Sequence, residues 1–181
     1  MNIVTYAMPV SIAPPKLWAV SLYKNTLTKQ AFVDSKIGIL QLLSPGQSKL
    51  VPVLGKRSGF ETGFSKREAC ANLDGEDVKW RRYLECSVLP SSTESDPFTD
   101  EEKGFTTMDV LPNCQGYIKL KLLSTFDAGD HDVALCEVIG TGEWIKESNR
   151  LKIHGKDDPP RAPEDHTSVL YSGQLREEGI I

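Results

Sequence analysis

The turn formed by residues 21–28 holds the side chains of this sequence best suited to bind a phosphate. They carry hydroxyl, amide or amino groups: Ser21, Tyr23, Lys24, Asn25, Thr26 and Thr28. A phosphate site needs convergent donors, often the backbone N–H groups at a helix start, and one positive charge. This turn offers both, with Lys24 as the charge. An ordinary polar loop with a helix N-cap has the same composition, so these residues alone leave both interpretations open.

The elements around the turn are predicted from local patterns. Two strand-like runs, 3–12 and 17–23, precede it and are joined at Ala13-Pro14-Pro15, where the prolines stop ladder pairing. A short amphipathic helix over 27–36 should follow, capped by Asn25 or Thr26. The apolar run 37–43 then predicts a buried strand, in which Gly38 indicates a close approach of another backbone or a bulge.

A second anion-friendly loop, Lys56-Arg57-Ser58-Gly59, follows a predicted short helix. That helix should begin at Ser44, with Gln47 completing a capping box, and should end near Gly55. Pro52 should kink or shorten it. The two cations of the loop are equally typical of a solvated helix terminus, where positive charge faces the helix dipole.

The second half of the chain predicts a β-hairpin. Residues 116–126 alternate between Tyr117, Lys119 and Lys121 on one face and apolar residues on the other, and residues 131–139 form the partner strand after a turn containing Gly129. The glycines after position 139 and Trp144 should end this strand. A helix over 65–72, a strand over 80–89 and a last strand over 169–172 are also expected, with irregular segments at 90–103 and 157–164.

His131 follows the hairpin turn directly and is the strongest candidate for a catalytic side chain. A lone histidine is more often structural than catalytic, so its position alone leaves both roles open. The three histidines form no metal-spaced set, and the four cysteines include no C-x-x-C pair, so no metal site is predicted.

Composition excludes several classes of protein. The chain has 181 residues, which suits one domain, and it is 39% hydrophobic and 25% charged. The net charge of −4 argues against a protein that coats nucleic acid. No apolar run reaches the ~18 residues of a membrane-spanning helix. With no signal peptide and no N-x-Ser/Thr site, we expect reduced thiols in a cytoplasmic or other reducing soluble compartment.

Many short strands with few short helices predict a mainly β fold of barrel type, and no Gly-x-Gly-x-x-Gly motif indicates a Rossmann domain. Two patches also resemble, in the same order, the flavin reductase-like, FMN-binding split-barrel family. They are VTYAMPVSIAPPKLWAVSLYKNTLT at 4–28 and AGDHDVALCEV at 128–138. The resemblance is good over about 3–60 and 113–144, and looser elsewhere.

The resemblance implies a single split-barrel domain over 1–181, with an inserted or flexible loop around 90–110 and a loose C-terminal segment over 155–181. The family has one more strand before the position of Met1, so we expect the barrel to lack its first strand. Gln41 stands where the family often has Asn. By this similarity, flavin-binding roles are expected for Thr5, Ala7, Ser21, Tyr23, Lys24, Thr26, Thr28 and Ser58. Tyr171 and Gly173 match a family position close to the site.

By the same resemblance, His131 faces the nicotinamide side of the flavin and is the expected catalytic residue, and the protein is a homodimer with flavin at the subunit interface. The expected activity is hydride transfer from NADH or NADPH to FMN. Two alternatives stay open: a flavin-binding electron carrier or sensor without turnover, and a degenerate split barrel that serves as an interaction scaffold.

Overall fold

The computed structural model describes residues 1–86, 105–155, 175, 176 and 179. This part of the chain is mainly β, as expected from the sequence, with three short α-helices. The strands are β1 (Ala7–Ser11), β2 (Leu17–Tyr23), β3 (Ile37–Leu42), β4 (Arg81–Cys86), β5 (Phe105–Val110), β6 (Gly116–Ala128), β7 (His131–Ile145) and β8 (Arg150–His154). The helices are α1 (Leu27–Ser35), α2 (Leu50–Lys56) and α3 (Lys66–Ala71).

The larger sheet is antiparallel and is organised around the long hairpin of β6 and β7. Its strand order is β1-β2-β7-β6-β3, and β8 also pairs with β7. β2 pairs with the first half of β7, at residues 131–137, whereas β8 pairs with its second half, at Thr141–Ile145. Because two strands share β7 in succession, the sheet divides rather than closing, as in a split barrel. β4 and β5 form a separate two-stranded sheet.

Each part of the sheet covers its own hydrophobic cluster. Val20 and Leu22 of β2, Leu120 and Leu122 of β6 and Ala134 of β7 belong to one cluster, against which Phe32 and Val33 of α1 pack. The ring of Phe32 also explains why residue 38 is a glycine, since a Cβ at Gly38 would lie 3.0 Å from Phe32 Cδ2. The prediction for Gly38 was wrong in its cause: the close neighbour is a side chain, not another backbone, and the β3–β6 register is regular at this position.

The second cluster forms where α2 and α3 cover β5, β6 and β8. The hydrogen bonds of Gln47 connect the segments around it. Gln47 is fully buried; its Oε1 accepts from Ser44 N at 2.9 Å, and its Nε2 donates to the carbonyls of Asp77 and Pro112. Buried polar groups are stable only when they are paired in this way. The capping box predicted at Ser44 and Gln47 is confirmed, but it starts a 3₁₀ turn, Pro45–Gln47, and α2 begins separately at Leu50.

Two predictions for the second half of the chain were wrong, the solvent face of Tyr117 and the end of β7. Tyr117 is not on a solvent face: it is 1% exposed, and its hydroxyl donates to the carbonyl of Leu111. It does lie on the face of β6 opposite Ile118, Leu120 and Leu122, as alternation predicts, but that face is covered by the second cluster. Within the region of the expected inserted or flexible loop around 90–110, Phe105–Val110 forms β5. β7 continues to Ile145 instead of ending at its glycines.

Several expectations lie outside the described residues: the irregular segments at 90–103 and 157–164, the last strand at 169–172, and Tyr171 and Gly173. In the described part, Cys70, Cys114 and Cys136 are free thiols and are buried. Burial raises the pKa of the Cys114 and Cys136 thiols to about 11, so both remain protonated at neutral pH. No helix among the described residues is long and apolar enough to cross a membrane.

The glycines of β7 permit the close approach of β8, and this can be tested. A Cβ at Gly140 would lie 2.7 Å from the carbonyl oxygen of His154, a backbone atom that can move only with its strand. We expect Gly140→Ala to lower the free energy of unfolding by about 2 kcal/mol, measured by urea denaturation. Gly46→Ala is the matched control, because nothing lies within 4 Å of its Cβ position. Equal stability of the two variants would contradict this packing.

Candidate functional site

The pairing of β2 with β7 brings the turn after β2 against the hairpin turn between β6 and β7. Tyr23, the last residue of β2, is registered with His131, the first residue of β7. The next backbone N–H, of Lys24, donates to the carbonyl of Asp130 at 3.1 Å. Two polar turns about a hundred residues apart in sequence thus form one surface at the end of the sheet.

Thr26 starts α1 and fixes the direction of its N-terminus. Its hydroxyl accepts from Lys29 N at 3.2 Å and donates to the carbonyl of Tyr23 at 3.0 Å, so the helix start is tied to the end of β2. The first turn of α1 has no acidic side chain. An α-helix start presents unpaired N–H groups and partial positive charge, which favours anions.

Two lysines reach this helix start, and the hairpin holds both of them by ion pairs. Lys24 Nζ lies 2.5 Å from Asp127 Oδ2, and Lys29 Nζ lies 2.7 Å from Asp132 Oδ2. The hydrogen bond between Lys24 and Asp127 raises the pKa of Lys24 and lowers the pKa of Asp127, so both are charged at neutral pH. Lys24 also lies 3.8 Å from Asp132, which links the two pairs.

A cleft of about 320 Å³ opens beside the helix start. Its lining is mostly polar and includes both lysines: Lys24, Asn25, Thr26, Lys29, Gln30, Val33, Asp34 and Phe60. The loop that carries Phe60 packs on α1, since a Cβ at Gly59 would lie 3.0 Å from Leu27 Cδ1. The ring of Phe60 is 55% exposed and is therefore available to a ligand at the cleft mouth.

Ser58 supports this loop and does not line the cleft. Its hydroxyl accepts from Phe60 N at 3.2 Å, and its own N–H donates to Glu61 Oε1 at 2.9 Å. Arg57 in the same loop is paired with Glu61, at 2.9 Å from Nε, and its guanidinium lies 3.7 Å from the centroid of the Phe64 ring. Of the two explanations for this loop, the pairing of Arg57 within the loop favours the solvated helix terminus over an anion site.

His131 lies at the other edge of the surface. Its Nδ1 is 2.7 Å from Asp130 Oδ1, and its ring meets the ring of Tyr23 edge-on, with the centroids 5.2 Å apart. The hydrogen bond with His131 lowers the pKa of Asp130, which keeps that carboxylate ionised. These two contacts orient the imidazole so that Nε2 is the ring nitrogen left for another partner. Its side chain is 38% exposed.

The structure gathers some of the predicted site residues and separates others. Lys24 and Thr26 line the cleft, and Tyr23 with His131 lies beside it. Ala7 and Ser21 belong instead to the paired strands β1 and β2, where Ser21 N donates to the carbonyl of Tyr6 at 2.9 Å. The other two predicted residues are placed separately: Thr5 is exposed just before β1, and Thr28 is half-buried in the first turn of α1.

The sequence analysis missed Lys29 and Phe60. Lys29 lies three residues after the N-cap, which places it one turn from the helix start. That spacing was the available signal. Phe60 gave none, because its position depends on the packing of its loop against Leu27.

Comparison with known structures agrees with this fold. The chain superposes on the FMN-binding protein from Thermus thermophilus, crystallised with 1-cyclohex-2-enone, with a TM-score of 0.53 and 19% identity over 86% of this chain and 74% of that one. The NADH:FAD oxidoreductase SgcE6 of Streptomyces globisporus, in complex with NAD and FAD fragments, superposes with a TM-score of 0.50 and 13% identity, over 90% of this chain and 78% of that one. BorF, the flavin reductase component of a bacterial tryptophan halogenase, superposes with a TM-score of 0.50 and 11% identity, over 86% of this chain and 82% of that one.

At these identities the solved structures establish the fold alone, and no curated protein sequence matches this chain. The sequence itself carries the family assignment, because the family model for the flavin reductase-like domain matches residues 2–152, most of the chain. This match includes the turn after β2, the cleft and the β6–β7 hairpin. The chain therefore belongs to the flavin reductase-like domain family.

Proposed function

We propose that this protein is a flavin reductase that binds FMN and uses NADH or NADPH as the electron donor. The observation that carries the proposal is the surface where Tyr23 and His131 are paired. There a helix start with two lysines adjoins a histidine whose ring is oriented by its neighbours. A phosphate-binding corner beside a group able to hydrogen-bond a second ligand is what a two-substrate flavin enzyme requires.

The phosphate of FMN would lie at the start of α1. Thr26, Lys24 and Lys29 all line that cleft, and the first turn of the helix adds backbone donors. Each lysine is also paired with a carboxylate, Lys24 with Asp127 at 2.5 Å and Lys29 with Asp132 at 2.7 Å, so both would share their charge with the phosphate. The ion pair of Lys29 with Asp132 keeps its ammonium beside the helix start.

The ring system of a flavin needs an apolar slot with a few backbone polar groups along one edge. The segment containing Thr5 and Ala7 runs along β2, next to the turn that would hold the phosphate. This neighbourhood supports the backbone roles that the resemblance gives to these two residues. Bound flavin would supply the hydride-accepting chemistry.

His131 would orient the nicotinamide donor. Asp130 takes the Nδ1 side of the imidazole, so Nε2 remains for the carboxamide of NADH or NADPH. Tyr23 restricts the tilt of the ring by its edge-on contact. The contribution of the protein is then positioning, which can account for a large share of the rate of a hydride transfer.

A homodimer is part of this proposal, and the edge strand β1 supports it. Apolar side chains at alternate positions from the approach to β1 to just beyond it are exposed: Tyr6, Met8, Val10 and Ile12, at 75%, 60%, 53% and 84%. A row of exposed apolar residues on an edge strand usually marks an interaction surface. We expect sedimentation equilibrium to give the mass of a dimer, and Met8→Lys to shift it toward the monomer. A wild-type monomer at micromolar concentration would contradict this part of the proposal.

Flavin affinity tests the phosphate corner. We expect Lys29→Gln to lower the affinity for FMN about tenfold, because one charged hydrogen bond is lost. The affinity for riboflavin should stay unchanged, because riboflavin lacks the phosphate. Lys36→Gln removes the same charge at the other end of α1, outside the cleft, and is the matched control. Both affinities are measured by flavin fluorescence quenching. Equal loss of FMN and riboflavin affinity in Lys29→Gln would place the phosphate elsewhere.

Turnover tests the enzymatic proposal. Wild-type protein should oxidise NADH or NADPH when FMN is added, followed by absorbance at the nicotinamide band. We expect His131→Ala to slow this reaction about tenfold to a hundredfold without weakening FMN binding, because only donor orientation is lost. His154→Ala, on β8, is the control histidine. Wild-type protein that binds FMN without turnover would instead identify a flavin carrier or sensor.

A further inference from the structure

We infer that the protein has a second ligand site, for a phosphorylated aromatic compound such as a nucleoside monophosphate, in a cleft between β4 and β8. The cleft has a volume of about 400 Å³. It lies among the ends of β4, β5, β7 and β8, and none of its lining residues belongs to the flavin cleft. A volume of this size matches ordinary small-molecule sites.

The lining of this second cleft has a strong excess of positive charge. Arg82, Arg150 and Lys152 line it, and no Asp or Glu does. Within the described part of the chain, none of these three side chains takes part in an ion pair, whereas Arg81 beside them is paired with Glu76 at 2.6 Å. These three exposed cations around one concave surface attract an anion, although Glu143 stands opposite Lys152 in the β7–β8 register, and arginine fits the geometry of phosphate oxygens.

One fixed donor in this lining is unsatisfied. Arg81 Nη2 is held by Glu76 Oε2, yet Arg81 Nε is buried without a hydrogen-bond partner among the described residues. A buried donor without an acceptor is rare in folded proteins and calls for an explanation. Nε itself has no accessible surface, so a ligand oxygen would reach it only after a movement of the Arg81 side chain.

The rest of the lining is apolar or aromatic. Val110 and Leu151 are 1% and 6% exposed, and the half-buried side chains of Tyr83 and Trp144 complete the wall. Aromatic residues pack well against planar rings, and an adjacent arginine adds to that contact. A simple inorganic anion would leave these groups unused. The combination therefore favours a ligand that carries both a phosphate and a ring.

This cleft is remote from the proposed flavin site. His131 begins β7, while Trp144 lies near its end, thirteen residues further along one continuous strand. At about 3.3 Å per residue, that separation is on the order of 40 Å along the chain. One ligand of nucleotide size therefore cannot occupy both, and each site can be tested without the other.

Calorimetric titration with adenosine 5′-monophosphate tests the site. We expect binding to wild-type protein, at least tenfold weaker binding of adenosine, which lacks the charge, and at least tenfold weaker binding of inorganic phosphate, which lacks the ring. The double variant Arg150→Glu/Lys152→Glu should lose at least tenfold in affinity for the monophosphate. The control Lys16→Glu/Lys36→Glu makes the same change of charge at exposed lysines outside the cleft and should bind as wild type does.

Two further variants keep the outcome decisive. If the β8 double variant fails to fold, Arg82→Gln on β4 takes its place and should also weaken binding of the monophosphate. Lys29→Gln should leave this binding unchanged, which separates the second site from the flavin cleft. Equal affinity for monophosphate and phosphate, or monophosphate binding that is lost with Lys29 and not with Arg82, Arg150 or Lys152, would overturn the inference.

Discussion

The antiparallel register that pairs Tyr23 with His131 is the constraint on which the site depends. It places the turn after β2 directly on the β6–β7 hairpin, and the backbone bond from Lys24 N to the Asp130 carbonyl extends the pairing by one residue. Because a slip of one residue in a sheet moves every side chain to the opposite face, this register also decides which residues meet. The buried residues Val20, Leu22, Ala134 and Cys136 of the paired strands lock it, since a slip would expose them.

The charges of the site follow from that register. Asp127 and Asp132 flank the hairpin turn and lie where they meet Lys24 and Lys29, so the hairpin sets the positions of both cations. The helix is oriented independently, through the two hydrogen bonds of Thr26. A ligand phosphate at the helix start would therefore meet fixed donors and would gain little by further rearrangement of the protein. The carboxylates that hold the lysines also moderate the positive potential at the helix start.

Local patterns predicted much of this framework. The strand Leu17–Tyr23, the start of α1 at its Thr26 cap and the Gly129 turn are all encoded within a few residues, and all were predicted. The spacing of Lys29 from the N-cap could have placed it near the helix start, but its ion pair with Asp132, about a hundred residues away in sequence, depends on the fold. Tyr117 was misplaced because the face of β6 that carries it is covered by the second cluster, which alternation within one strand cannot reveal. The continuation of β7 beyond Gly140 depends on β8, whose approach only the fold shows.

The central claim is that the start of α1, with Lys29 beside it, receives the phosphate of FMN. A crystal structure of the protein soaked with FMN tests it most directly. The account predicts phosphate oxygens within hydrogen-bond distance of Lys29 Nζ and of the first backbone N–H groups of α1, with the flavin ring extending toward β1 and His131. A phosphate bound away from this helix start, with the cleft beside Thr26 empty, would contradict the account.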